Sequence, residues 1–257
     1  MTIAAVVITK NEESNIGACL ESIRWVHDLI VVDACSTDRT VEIAREYTQR
    51  VFIRPWPGFG PQKNYGIDQA TADWILIVDA DERVTDALRR EILETIQMAP
   101  ADLVAFKVPR RNFFYGRWIQ GGGIYPDHQL RLFRRKAACY DDTLLHERLQ
   151  VNGRIGRLAS PLDHHSMPTI RDHVRKMMRY TTLGAQEKLK TRTSVTPMEL
   201  AGSHLMTILR TYLFRGGYRD GGHGVIIALF GGMHTFVKYA KAWELLNVRG
   251  SKFDVRS

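Results

Sequence analysis

Cysteine is scarce: Cys19, Cys35 and Cys139 are the only three in 257 residues, odd in number and far apart. That usage builds no disulfide frame and offers no paired spacing for a zinc site, and it fits a reducing, cytosolic setting. Long apolar runs are also lacking. The longest, Val225 to Val237, is interrupted by His234 and falls short of the roughly 20 residues a spanning helix needs. The opening MTIAAVVITKNEE has no basic stretch before its apolar run and no small-residue cleavage site, so it reads as a strand and not as an export signal. Two phosphate-binding signatures are missing as well. No G-x-G-x-x-G follows the first apolar run and no G-x-x-x-x-G-K-[ST] occurs, which removes the main support for a dinucleotide oxidoreductase or a P-loop enzyme.

Against these absences stand 44% hydrophobic residues, enough for a substantial core, and a net charge of +8 that is unevenly placed. Residues 1–170 carry 21 Lys and Arg against 22 Asp and Glu, whereas residues 171–257 carry 15 against 6. The surplus is therefore C-terminal. Basic residues interleaved with aliphatic and aromatic ones suit an anionic membrane surface or a nucleic acid, or else a merely soluble basic face.

Strand-like IAAVVIT (3–9), LIVVDA (29–34), VFIRP (51–55) and WILIVD (74–79) alternate with helix-like segments at 14–26, 37–48, 61–70 and 85–97. Repeated β-α wiring predicts a parallel sheet covered by helices. Ser14, Thr37 and Thr85 each precede a periodic run and are N-cap candidates. From 110 to 165 the pattern is less regular, with a strand expected at HQLRLF (128–133) and a turn at Asp141-Asp142-Thr143. A helical pattern resumes from Thr169 to Lys190. Two more helices, about 197–215 and 224–246, are joined by a glycine-rich turn.

In an open sheet of this kind ligands gather at the carboxyl ends of the strands. The first strand ends in Thr9-Lys10-Asn11-Glu12, the second in Asp33-Ala34-Cys35-Ser36 and the fourth in Asp79-Ala80-Asp81-Glu82. If the backbone stays extended Ala80 points away, so Asp79 and Asp81 face one cleft. Such carboxylates repel a phosphorylated ligand unless a divalent cation stands between them, and hard oxygen ligands suit Mg²⁺ or Mn²⁺.

Taken in order, TKNEESNI, VVDACSTDRT, PQKNYGI and VDADE resemble family 2 glycosyltransferases of the GT-A fold. YPDHQLRLFRR, LLHERL, DHHS followed by RKMMRYTTLGA, and the tail FRGGYRDGGHGVIIALFGGMHTFVKYAKAWE are similar to the lipopolysaccharide core β-glucosyltransferase group. The resemblance covers nearly the whole chain. It implies an α/β GT-A fold, Rossmann-like with a mainly parallel central sheet flanked by helices. Residues 1–190 would form the catalytic domain, with a nucleotide-sugar half at about 1–110 and an acceptor half at about 111–190, and residues 191–257 a basic amphipathic helical tail. It further implies an inverting, metal-dependent, hexosyltransferase-type enzyme that moves a sugar from a nucleotide-sugar donor, foremost a UDP-sugar, to a lipid-linked saccharide in lipopolysaccharide core or related surface-glycan assembly. The setting implied is peripheral, on the cytoplasmic face of a bacterial inner membrane, with no nucleic-acid partner.

By the same resemblance Asp33 accepts hydrogen bonds from the nucleotide base, with Thr9, Asn11 and Glu12 lining that pocket. A carboxylate is a fitting acceptor for an imide N–H, although a helix N-terminus alone would also explain Glu12. Lys63 approaches the donor phosphates, Asp79 binds ribose, and Asp81 ligates Mg²⁺ or Mn²⁺ with His164, or alternatively His165, completing the metal site. Glu147 in LLHERL is the base that takes the acceptor hydroxyl proton. Its rivals are Asp127 and the Asp141-Asp142 pair, and a salt bridge to Arg148 or Arg154 is its plain structural alternative. Arg131 and Arg134, three apart on one strand, serve different faces, one of them anion-binding. In the tail, Leu205, Ile208, Leu209, Tyr212 and Leu213 form one helix side near Arg210, Arg215 and Arg219. That side suits the headgroup region of an anionic leaflet, or a helical cap or dimer contact. Two other classes compete. A nucleotidyltransferase usually has a basic glycine-rich segment where TKNEES is acidic, and a non-catalytic membrane or nucleic-acid binding protein on a degenerate fold has no need of the D-x-D element or the base.

Overall fold

The computed structural model describes residues 1–141, 149–190 and 194–248. Two compact units divide the chain, one of Met1–Arg111 with Asp127–His164, the other of Asn112–Pro126 with His165 onward. The helix spanning Ile170–Leu189 belongs with the C-terminal helices.

In the first unit β1 (Ile3–Thr9), α1 (Ile16–Ser22), β2 (Asp28–Asp33), α2 (Thr40–Tyr47), β3 (Val51–Ile53), α3 (Phe59–Gln69) and β4 (Trp74–Asp79) follow one another as expected. β1 pairs in parallel with both β2 and β4, and β2 with β3. Every residue of β1 is buried. Its alternate side chains feed two cores: Ile3, Ala5 and Val7 pack with Leu20 of α1, whereas Ala4, Val6 and Ile8 pack with Ile67 of α3. Burial on both faces is why this strand reads as one continuous apolar run.

Beyond β4 the sheet changes character. It continues through β5 (Glu82–Val84), β6 (Leu103–Phe114), β8 (Asp127–Arg134), β11 (Arg154–Arg157) and β12 (Leu162–Met167), in the order β3-β2-β1-β4-β8-β6-β12-β5 with β11 beside β6. β8 is antiparallel to β4 and to β6, and β5 is antiparallel to β12. β9 (Ala138–Tyr140) and β10 (Leu149–Val151) form a separate antiparallel pair, and α4 (Asp86–Met98) follows β5. Strands β5, β6 and β12 went unread in the sequence, because Pro109, Arg110 and Arg111 break the apolar pattern of β6 and the other two are short and polar.

Of the three cap candidates, Thr85 alone caps a helix, accepting from the Leu88 N–H at 3.1 Å. The N-cap of α1 is Asn15 and not Ser14. Thr37 instead donates its N–H to Asn11 Oδ1 at 2.8 Å, and α2 starts three residues later at Thr40.

The second unit holds the end of β6 hairpinned to β7 (Arg117–Trp118), then α5 (Ile170–Leu189), α6 (Pro197–Leu209) and α7 (Gly222–Asn247). The helix expected over 197–215 changes at Arg210 into a π-helical turn, Arg210–Phe214, and a short 3₁₀ turn, Gly217–Asp220, precedes α7. Buried Asp220 accepts from the N–H groups of Gln120 and Gly121, at 3.1 and 2.8 Å, and so pins the 112–126 segment to the helices.

Gly66 lets α3 lie close on the sheet, since a Cβ there would stand 2.4 Å from Val6 Cγ1 and 3.1 Å from Val32 Cγ2. Gly202 of α6 has nothing within 4 Å of that position. Gly66→Ala is expected to lower stability by about 1–3 kcal/mol through overpacking, whereas Gly202→Ala should raise it by up to about 1 kcal/mol through helix propensity. Denaturant melts of the two variants check both signs.

Candidate active site

The parallel pairings bring three strand ends to one edge: Thr9 stands opposite Asp33, and Ile8 opposite Asp79. The loops beyond them are knitted together by short polar side chains. Asp33, fully buried, accepts from the Ser36 N–H at 2.8 Å and from its hydroxyl at 2.5 Å. Ser36 Oγ in turn accepts the Asn11 N–H at 2.8 Å, and Thr40 Oγ1 accepts the Glu12 N–H at 2.8 Å. Asn11 and Cys35 both adopt positive φ, 53° and 57°, to make these turns. Thr9 Oγ1 and both amide atoms of Gln62 are buried without a hydrogen-bond partner. Such orphaned groups beside a strand edge are where a ligand's polar atoms are wanted.

Next to this edge lies a buried cluster of charges. Glu82 is fully buried; its Oε2 accepts the Asp79 N–H at 2.9 Å, and its Oε1 takes Arg131 Nη2 at 2.5 Å and Arg110 Nη1 at 3.2 Å. The same Arg131 nitrogen donates to Asp79 Oδ2, while Lys63 Nζ stands 3.8 Å from Asp79 Oδ1 and 5.0 Å from the Tyr140 ring centroid. Arg110 also grips Asp127 Oδ2 through Nε and Nη2, at 2.9 and 2.6 Å. Three carboxylates thus face three cations. Burial by itself would push the Asp79 carboxyl up, but Arg131 foremost, and then Lys63, hold it well below the usual carboxylate range.

Asp81 meets His164, with Oδ2 and Nε2 3.2 Å apart. The two are 83 residues apart in sequence and are joined by strand pairing, since β5 runs against β12 with His164 opposite Glu82. Arg111 fixes β12 at this point, binding both oxygens of Asp163 at 2.6 and 2.9 Å. His165 stacks on Phe113 with centroids 4.9 Å apart. The structure therefore brings His164, and not His165, to Asp81, as alternation along a strand requires. Two ligand atoms in neighbouring positions around an octahedral cation stand about 3 Å apart, so the Asp81–His164 spacing fits one divalent ion. Among the described residues no group of three or more His, Cys, Asp or Glu side chains could hold a metal. The remaining positions fall to water and ligand oxygens, as is usual for Mg²⁺.

The other candidates separate. Glu147 and Asp142 lie outside the described residues. Asp127 has one oxygen on Arg110 and the other accepting from Gln129 Nε2 at 2.6 Å. Arg131 binds anions, but these are the chain's own Asp79 and Glu82. Arg134 lies 4.6 Å over the Trp74 ring and donates to backbone carbonyls, so the two arginines do serve different purposes. Sequence reasoning gave no role to Glu82, Arg110 or Gln62. Glu82 was within reach, as a carboxylate following directly on the D-x-D pair; Arg110 was not, because its strand was unread.

The pattern of the family described as "Glycosyl transferase family 2" matches residues 4–152, more than half of the chain. A lipopolysaccharide core biosynthesis glycosyltransferase, LpsC of Rhizobium meliloti, is 29% identical over 251 residues, covering 95% of this chain and 93% of its own. An uncharacterized glycosyltransferase of Rickettsia typhi is 27% identical over 95% of this chain and 87% of its own. Among solved structures, S. aureus TarS 1-349 in complex with UDP-GlcNAc superposes with a TM-score of 0.49 at 14% identity, over all of this chain and 95% of that one.

Removing Glu82 leaves Arg131 with Asp79 alone and Arg110 with Asp127 alone and breaks a pairing made with no exposed carboxylate surface, so Glu82→Ala should cost about 3–5 kcal/mol of unfolding free energy. The pH dependence follows from Asp79. Its folded pKa lies below the unfolded value of about 3.9, so its contribution is present above that pH and is lost as pH falls. In acid titrations of stability, Asp79→Asn should show a shallower decline below about pH 4 than the parent chain.

Proposed function

The chain belongs to glycosyl transferase family 2 and has the GT-A type of mixed α/β fold, and from that premise we propose that it is an inverting, metal-dependent transferase that carries a sugar from a UDP-sugar to a lipid-linked saccharide. The observation that carries this reading is the Asp81–His164 pair at 3.2 Å, set beside an edge that also holds Asp33, Thr9 and the Asp79 cluster.

In this reading residues 1–110 handle the donor. Asp33 takes the imide N–H of the base, with Thr9 Oγ1, still lacking a partner, and the Asn11–Glu12 turn lining the same pocket. Asp79 binds ribose, oriented by Arg131 and kept ionised by it, and Lys63 offers charge toward the diphosphate. Asp81 and His164 hold Mg²⁺ or Mn²⁺. When bound, that ion neutralises the diphosphate as it leaves. Residues 111–190 face the acceptor, and Glu147 takes the proton of the attacking hydroxyl while the bond from the anomeric carbon to the phosphate oxygen breaks with inversion. Support for a lipopolysaccharide-type acceptor comes from the Rhizobium relative, whose description is that of core biosynthesis and whose likeness extends over nearly its full length. A lipid-anchored acceptor suits work at the cytoplasmic face of a membrane, approached through the basic region from 191 onward.

Donor turnover tests the assignment. Glu147→Gln should lower kcat by about 10²–10⁴-fold while leaving UDP-sugar binding in place. His164→Ala should raise the Mn²⁺ concentration needed for half-maximal rate, and His165→Ala should not. Equal effects of the two histidine changes would refute the metal site.

A further inference from the structure

An ordinary surface helix turns its charges outward and its apolar stripe inward. α7 is apolar on both sides: Ile227, Ala228 and Ala242 are buried on one, and a second apolar stripe is exposed on the other. Its exposed large side chains, Val225, Leu229, Met233, Phe236 and Trp243, recur at helical spacing along one stripe and are 41–51% accessible. Among the described residues of α7 no charged side chain is exposed. Lys241 is drawn in, donating to Met178 O at 2.8 Å and to the hydroxyls of Thr181 and Thr182 at 2.9 and 2.8 Å. The Lys238 stem lies against Gly184 of α5, with its ammonium 5.4 Å from the Tyr239 ring centroid.

α6 and the π-helical turn repeat the pattern. Leu205, Met206, Leu209, Leu213 and Phe214 are exposed, Phe214 by 80%. Ile208 packs beneath Gly232, where a Cβ would stand 2.5 Å from it, and Tyr212 meets Tyr218 edge-on, so these two leave the outer side expected for them. Cations accompany this surface: Arg210, Arg215 and Arg219 are exposed while Asp220 is buried, and α5 exposes Arg171, Arg179 and Arg175, the last paired with Asp172 at 3.5 Å.

Contiguous exposed apolar surface of this extent marks an interaction site. From Val225 to Trp243 the stripe runs about 27 Å along the helix, yet no helix of the described chain is long and apolar enough to cross a membrane. A second copy is disfavoured, because a two-fold contact would set the exposed arginines against one another. We infer that the α6–α7 face lies in the plane of an anionic bilayer, with the α7 stripe entering the acyl boundary and the arginines meeting lipid phosphates. This rests on the proposed function only for the reason to visit a membrane. It goes beyond charge attraction, because buried apolar area and not the basic surplus holds the protein there.

The test is co-sedimentation of the full chain with vesicles of phosphatidylcholine alone and with added phosphatidylglycerol, at low salt and at about 0.5 M NaCl, where surface charge is screened. UDP binding with Mn²⁺ is measured on the same samples. The parent chain should bind the anionic vesicles and stay bound at high salt, while Leu229→Glu with Phe236→Glu should lose roughly tenfold or more in partitioning and keep its nucleotide binding and melting temperature. Absence of vesicle binding, binding unchanged in the double variant, binding abolished by salt alone, or a concentration-dependent dimer that the double variant abolishes would each overturn the inference. Loss of nucleotide binding in the parent chain would instead strike the proposed function and leave the surface standing.

Discussion

The grip of Glu82 on Arg131 and on the Asp79 backbone is the interaction on which the rest of the site depends. A carboxylate with no exposed surface is tolerable only when it is fully paired, and Glu82 is paired three ways: to Asp79 N–H, to Arg131 and to Arg110. Those contacts fix where β4 ends, which way the Asp79 side chain points, and how the chain turns into β5. Because β5 is registered against β12, the same turn determines that His164 arrives beside Asp81. Electrostatic pairing inside the fold and ligand geometry at its edge are one construction.

That construction separates two kinds of carboxylate. Asp79 is committed to Arg131 and Lys63, which keep it charged and oriented. Asp81 meets the His164 imidazole at 3.2 Å, across the pairing of β5 with β12. The two aspartates of the D-x-D element thus part company: Asp79 ends the apolar strand and is held by Arg131, whereas Asp81 lies in the turn beyond it and meets His164. Three cations offset three carboxylates, with Lys63, Glu82 and Arg131 buried and Asp79, Asp127 and Arg110 half-buried around them.

Much of this was legible in the sequence, and the illegible remainder has physical causes. β1, β2 and β4 are apolar runs buried on both faces, and their ends announced Thr9, Asp33, Asp79 and Asp81 without any structure. The doublet His164-His165 was found but not resolved, because only the register of β12 against β5 decides which imidazole faces Asp81. Arg110 lay hidden in a strand whose Pro109 and paired arginines imitate a loop. The tail was read as amphipathic from α6, but the uncharged outer stripe of α7 depends on Lys238 and Lys241 folding inward against α5, a tertiary choice that composition does not reveal.

Calorimetric titration of the intact chain with UDP, run with Mn²⁺, with chelator, and on Asp81→Ala, addresses the central claim most directly. The account predicts one-site binding that requires the metal, vanishes with chelator, and is lost in Asp81→Ala while the variant melts like the parent. Binding of UDP that is indifferent to metal and to Asp81, or no binding by well-folded protein, would contradict it.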